Sequence, residues 1–278
     1  MNLPTSVIQS VRDNCPTLLI DSPLATAEIS LFGGHVLSFK PTSDNRERLW
    51  VSPSAIFDAH TAIRGGIPIC WPWFGPHSSP GYSAHGYVRN QLWQVNSISD
   101  IQGTVTVTLT PTSATGEGLD GTPAVELIIA ISHQLTLTLT TINAGNAPFE
   151  YTAALHSYFD IDSIDDTEIS GVSGEYLDKT RAGQRLCTPE PYHFSEETDR
   201  VHLCTAKQVT IHCHQKDTVV ISEGHDSLVI WNPWKDKAKA LKDMSDNGYQ
   251  TMVCVETAVT QGKTLQPGER HQLVQVIR

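Results

Sequence analysis

The chain has 278 residues, 39% apolar and 18% charged, and 19 Lys and Arg against 30 Asp and Glu give a net charge of −11. That length suits one large β domain or two ordinary domains, is ample for a packed core, and comes with the composition of a folded globular protein. The acidic balance excludes polyanions as partners, because a nucleic-acid backbone and an anionic membrane surface both need a basic footprint.

Strand signals dominate in chain order. Short candidates fall at about 17–20, 26–31 and 35–40. They are followed by GTVTVTLTP, where Val105, Val107 and Leu109 alternate with threonine. Further candidates lie at 126–132, in QLTLTLTT with Leu135, Leu137 and Leu139, and at 150–155, 209–213, 218–222, 227–231, 251–255 and 271–277. β-branched and apolar residues at period two read as half-buried antiparallel strands. Turn signals separate them at Gly33-Gly34, Asp120-Gly121, Asn143 to Pro148, Asn247-Gly248 and Pro267-Gly268. Helix is short, near 195–200 or 236–244. Many short strands without repeat or linker predict an all-β chain, a large antiparallel β-sandwich forming one domain over residues 1–278.

The N-terminus, Met1 to Thr5, has neither a basic segment nor an apolar one, so no signal peptide is expected, and no apolar run is long enough to span a bilayer. The six cysteines, at 15, 70, 187, 204, 213 and 254, form no C-x-x-C pair. They read as buried thiols in a reducing cytoplasm. No dinucleotide fingerprint, Walker loop, G-x-S-x-G or H-E-x-x-H is present.

The most unusual stretch is 63–89, IRGGIPICWPWFGPHSSPGYSAHGYVR, rich in Gly, Pro and aromatics. Long irregular loops are usually functional, and Trp71, Trp73 and Phe74 suit a sugar or planar ligand. The plainer reading is a packed loop covering a sheet edge. From Leu49 to Asp178 the only Lys or Arg residues are Arg64 and Arg89, both in this stretch. Each is suited to a phosphate or carboxylate contact, or to an ion pair with a nearby acid. His85, His156 and Glu256 complete the candidates, though taken singly Glu256 also reads as an exposed strand end and each histidine as a structural one. A carboxylate and an imidazole with movable pKa values make a general base and a general acid. His212 and His214 in IHCH sit on the strand face opposite Val209 and Ile211, so they read as solvent-facing. The lysines of 235–242 read as a solvated surface loop or short helix.

Several motifs together resemble the hexose-6-phosphate mutarotases, or glucose-6-phosphate 1-epimerases, of the aldose 1-epimerase superfamily. They are Arg64-Gly65-Gly66-Ile67-Pro68, Cys70 to Gly75, His85-Gly86-Tyr87-Val88-Arg89-Asn90, Leu155-His156-Ser157-Tyr158-Phe159, Thr198-Asp199-Arg200-Val201, Val229 to Trp234, and Cys254-Val255-Glu256. The resemblance runs from about residue 20 to the end. It implies a galactose-mutarotase-like supersandwich without metal or organic cofactor. It also implies Glu256 as general base, His156 as general acid, His85 near the ring oxygen and Asp199 on a sugar hydroxyl. Arg64 and Arg89 would hold the phosphate, with Trp71 and Trp234 lining the sugar site. Some relatives carry Gln where this chain has Ala84, which puts one sugar contact in question.

The implied reaction removes the proton of the anomeric hydroxyl, protonates the ring oxygen, rotates C1–C2 in the open aldehyde and recloses the ring. His156 with a pKa near 6.5 would serve both directions, and Glu256 would need partial burial to be an effective base. The expected partner is a small sugar phosphate, the expected state a cytoplasmic monomer. The alternatives are a mutarotase of free aldoses and a non-catalytic carbohydrate-binding protein.

Overall fold

Threonine alternating with apolar residues builds the longest strands. In Leu135–Asn143 and Thr104–Pro111 every second side chain is buried, and the threonines between them take mainly the half-buried outer positions. Branched side chains fit a pleated surface with one face dry. The structure, a computed structural model, describes residues 3–214 and 217–278; Met1 and Asn2 of the N-terminus read above lie outside them.

The strands form three antiparallel sheets. Val7–Arg12, Cys15–Asp21, Ala25–Ser30 and His35–Pro41 make a four-stranded meander. One eight-stranded sheet runs Glu168–Ser170, Gln208–His212, Thr218–Glu223, Arg270–Ile277, Leu135–Asn143, Pro123–Ile131, Thr104–Pro111, Trp93–Ile101. The other runs Gln184–Cys187, Glu175–Asp178, Thr198–His202, Ser227–Asn232, Met252–Leu265, Phe149–Leu155, Ile69–Cys70, with Tyr158–Asp160 also paired to Met252–Leu265. The inner faces of the two large sheets share one apolar cluster, which includes Val105, Leu137 and Leu273 from the first and Leu155, Ile230 and Val255 from the second.

Two expectations change. The helix considered near 195–200 is instead the strand Thr198–His202, paired on both sides. Its charged neighbours Asp199 and Arg200 alternate across the two sheet faces, and a position between two strands overrides weak local propensity. The strand expected at 251–255 continues to Leu265, because its second half pairs with Phe149–Leu155. The single α-helix among the described residues, Trp234–Ala240, starts two residues before the expected segment and ends earlier. All six cysteines are unpaired; Cys15, Cys70 and Cys254 are buried, Cys204 and Cys213 partly so, and Cys187 is exposed. His212 is half-exposed and His214 exposed. Among the described residues no helix is long and apolar enough to cross a membrane.

Candidate active site

Strand register assembles the site floor. Leu155 pairs with Thr257 and Tyr158 with Cys254, so the register is unchanged across the gap between Phe149–Leu155 and Tyr158–Asp160. His156 therefore lies opposite Glu256. Glu256 pairs in turn with Val229, and Val229 with Val201; a parallel row runs Tyr158, Cys254, Trp231, Asp199. Side chains opposite one another on neighbouring strands share a face. Two transverse rows thus bring residues far apart in sequence to one surface.

Over this floor lies a cavity of about 530 Å³ lined by His85, His156, Asp199, Trp231 and Glu256, with Arg64, Lys179 and Lys237 as its cations. His156 Nε2 lies 3.4 Å from Glu256 Oε1, and the glutamate side chain is only 1% exposed. His156 Nδ1 and Glu256 Oε2 are buried without a hydrogen-bond partner. Unsatisfied buried polar atoms are costly, and at the floor of a cavity they are groups a ligand can satisfy. The His156 ring stacks on Tyr158 at 4.9 Å and 9°, and meets the Trp231 ring at 6.1 Å and 79°. Packing on two sides fixes the plane of the imidazole.

Burial, only partly opposed by Lys179, pushes Glu256 well above the usual carboxylate range. Burial, reinforced by His85, Arg89 and Arg64, holds His156 well below its ordinary value. Sequence reasoning expected an imidazole near 6.5; the dry, cationic surroundings account for the difference. His85 is pushed down to about 3 by burial and by Arg89, Lys179 and Arg64. Its Nδ1 accepts a hydrogen bond from Gly75 N at 3.2 Å, which leaves Nε2 to carry the ring proton as a donor. Asp199 is raised, chiefly by burial.

The loop before His85 is held by the chain itself. His85 N donates to Gly75 O at 2.8 Å and Tyr87 N to Trp71 O at 3.1 Å. His85 and Gly86 both have left-handed backbones, φ 65° and 71°. A Cβ on Gly86 would lie 1.9 Å from the Trp71 carbonyl oxygen, so only glycine permits this approach.

The cations are distributed differently from the sequence reading. Arg64 lines the cavity, but its Nε and Nη2 each lie 3.1 Å from Asp243 Oδ2, and its Nη1 donates to the Tyr158 hydroxyl at 2.9 Å. Arg89 lies outside this lining. It borders a second cavity of about 400 Å³ that shares Arg64 with the first and is also lined by Tyr158 and Asp243, donates from Nη2 to Ala84 O at 2.9 Å, and has a buried Nε without a partner. Lys179 and Lys237 were missed. Lys179 follows directly on the span in which Arg64 and Arg89 stood alone, and its Nζ lies 4.7 Å from the centre of the Phe74 ring. Lys237 belongs to the lysine run read as solvated. It sits on the Trp234–Ala240 helix, 2.7 Å from Glu197, and reaches the cavity wall.

Neither expected tryptophan lines the cavity. Trp71 is 0% exposed and donates its indole N–H to Thr141 Oγ1 at 3.1 Å, inside the core. Trp234 lies past the end of its strand and packs on Tyr249. The lining indole is Trp231; strand parity relative to Val229 was the available signal.

One set of groups has metal-ligand character among the described residues: His156, Cys254 and Glu256, whose ligand atoms lie within 4.8 Å of one another. Cys254 is fully buried, and its thiol is raised well above 9.0 by burial and by Glu256. Arg64, Arg89 and Lys179 act electrostatically on this cluster. Such surroundings disfavour a divalent cation, so the donor set fits proton transfer better than metal binding.

An antiparallel sandwich carrying a buried imidazole–carboxylate pair beneath a sugar-sized cavity fits an isomerase of the mutarotase type. The chain belongs to the aldose 1-epimerase family, whose model matches residues 16–278. A protein of Cenchrus ciliaris named "Putative glucose-6-phosphate 1-epimerase" is 36% identical over 259 residues, covering 87% of this chain and 78% of that one. A Salmonella typhimurium crystal structure described as a "putative mutarotase" has TM-score 0.93 at 29% identity, covering 99% of this chain and 94% of that one. A galactose mutarotase related enzyme of Lactobacillus acidophilus shares the fold at TM-score 0.71 and 14% identity, covering 94% of this chain and 96% of that one.

Proposed function

We propose that the chain interconverts the α and β anomers of hexose 6-phosphates, with glucose 6-phosphate the first candidate. The observation that carries this reading is the His156–Glu256 pair, 3.4 Å apart, under a cavity walled by Arg64, Lys179 and Lys237 in a chain of net charge −11. The relatives named for glucose 6-phosphate support the same substrate.

Glu256 takes the proton of the anomeric O1 hydroxyl as the ring C1–O5 bond breaks and a C1=O1 aldehyde forms. His156 gives its proton to O5, and the neutral His85 donates a hydrogen bond to the oxygen on which charge develops. Rotation about C1–C2 presents the other face, and the two proton transfers run backwards. No electrons leave the sugar, and one proton passes from O1 to O5 through the pair. Asp199 accepts a hydrogen bond from a sugar hydroxyl.

The phosphate has a part beyond holding the substrate. Arg64 and Arg89 are among the charges that hold His156 unprotonated, and Lys179 and Arg89 draw Glu256 down. A phosphate dianion on these cations offsets their charge, raising the proton affinity of both acid and base.

A mutarotase of free aldoses is the second reading, favoured by one observation: Arg64 and Lys237 already have the carboxylate partners Asp243 and Glu197. Two-dimensional exchange NMR on glucose 6-phosphate and glucose separates the two. The phosphate reading expects a higher kcat/KM for glucose 6-phosphate, and Lys179→Ala or Arg64→Ala lowering that value more than the value for glucose. A higher kcat/KM for free glucose overturns it.

A further inference from the structure

The strand Arg270–Ile277 carries a polar residue where its alternation calls for an apolar one. Leu273 and Ile277 point into the core, and Gln275 between them is 0% exposed. A buried carboxamide is retained only where all of it is bonded. Gln275 meets that condition across the gap between the two large sheets. Its Oε1 accepts a short hydrogen bond from Ser157 Oγ, and its Nε2 donates to Thr257 Oγ1 at 2.8 Å and to Val255 O at 3.3 Å. Val255 O can only accept, so the amide orientation is fixed. Thr257 Oγ1, accepting from the amide, is also hydrogen-bonded to Ser222 Oγ at 2.7 Å. Ser157, Thr257 and Ser222 are all buried.

The partners are the immediate neighbours of the acid and the base. Ser157 follows His156, and Val255 and Thr257 flank Glu256. Successive residues of extended chain face opposite ways, so a tie behind the sheet at 157, 255 and 257 fixes 156 and 256 in front of it. The tie lies between Leu155 and Tyr158, where regular pairing is interrupted and one backbone bond, Val255 N to Ser157 O at 3.2 Å, joins the strands.

We propose that Gln275 is a positioning residue for the acid–base pair: one buried amide, reaching from the opposite sheet, sets the separation of His156 and Glu256. This rests on the epimerase reading above, in which those two groups move the proton. A misplacement of about 1 Å can cost about 10²-fold in rate.

The test is Gln275→Met, which keeps volume and removes the three bonds, with Ser157→Ala as a milder variant that removes one. Val220→Ala, a buried truncation in the Thr218–Glu223 strand, is the control for stability loss alone. Anomerisation of glucose 6-phosphate is followed by exchange NMR well below each melting temperature. The expected result is a kcat lower by about 10–100-fold in Gln275→Met and several-fold in Ser157→Ala, with KM within about twofold and Val220→Ala at full kcat. Wild-type kcat in folded Gln275→Met overturns the proposal. If that variant does not fold, wild-type kcat in Ser157→Ala does so. His156→Ala and Glu256→Gln are measured alongside: their retaining activity sinks the acid–base reading, whereas their inactivity beside a fully active Gln275→Met sinks only the positioning role.

Discussion

Replacing Glu256 by Gln separates the cost of burying the proposed base from its use. The side chain is 1% exposed, with one oxygen 3.4 Å from His156 and the other without a partner. Gln keeps its length and shape and removes the buried charge. Loss of a general base costs roughly 10²–10⁴ in rate, about 3–5 kcal/mol on the barrier. Stability moves the other way. Glu256 is raised on folding, so its contribution to stability is full below its unfolded pKa of 4.5 and is lost as pH climbs through the higher folded value. Gln has nothing to lose over that window. At pH 8 the variant should be more stable by about 1–3 kcal/mol, the cost of an unsatisfied buried group, which is roughly 2 °C in melting temperature per kcal/mol at this length. At pH 4 the two proteins should melt together. The assay pairs exchange NMR of anomerisation with thermal melts from pH 4 to 8. Wild-type kcat in the variant, or a melting difference that does not grow with pH, refutes the reasoning.

Three further outcomes follow from the same geometry. Gly86→Ala must displace backbone, since its Cβ would sit 1.9 Å from the Trp71 carbonyl where about 3 Å is needed; the roughly 1 Å shift beside His85 should lower kcat/KM about 10²-fold and reduce the melting temperature, and an unchanged enzyme would contradict the close approach. Inorganic phosphate should raise the His156 pKa in an NMR titration of the imidazole resonances, because it offsets Arg64 and Arg89; an unmoved resonance would remove those arginines from the phosphate's neighbourhood. His35 is buried, with Nε2 2.6 Å from Gly65 O, and is pushed down to about 4. A depressed histidine stabilises fully above its unfolded value near 6.5, and that stability is lost as pH falls through the folded value. Wild type should therefore lose about 2 kcal/mol more than His35→Gln between pH 7 and pH 5 in urea melts; parallel losses would contradict it.

The legible part of this protein was local. Period-two alternation in 104–111 and 135–143 is a property of neighbouring residues, so those strands and the all-β class could be read directly. The motifs around His85, His156 and Glu256 were likewise visible, because each is a short local run that resembles the family's pattern. What sequence could not supply was any quantity that depends on which strands are neighbours. Thr198–His202 looked helical because its place between two strands is set by residues 22 to 34 positions away. Trp71 was expected at the sugar site and lies in the core, whereas Trp231, given no role, lines the cavity, because a side chain's face follows from its place in the sheet. Charge behaved similarly. Arg64 and Arg89 stood out because the linear span around them is acidic, whereas Lys179 and Lys237 reach the cavity from segments that look unremarkable along the chain. Net charge and composition set which partners the surface as a whole repels. The tertiary structure set the local field, because Coulomb forces and desolvation depend on distance and burial, not on position in the sequence.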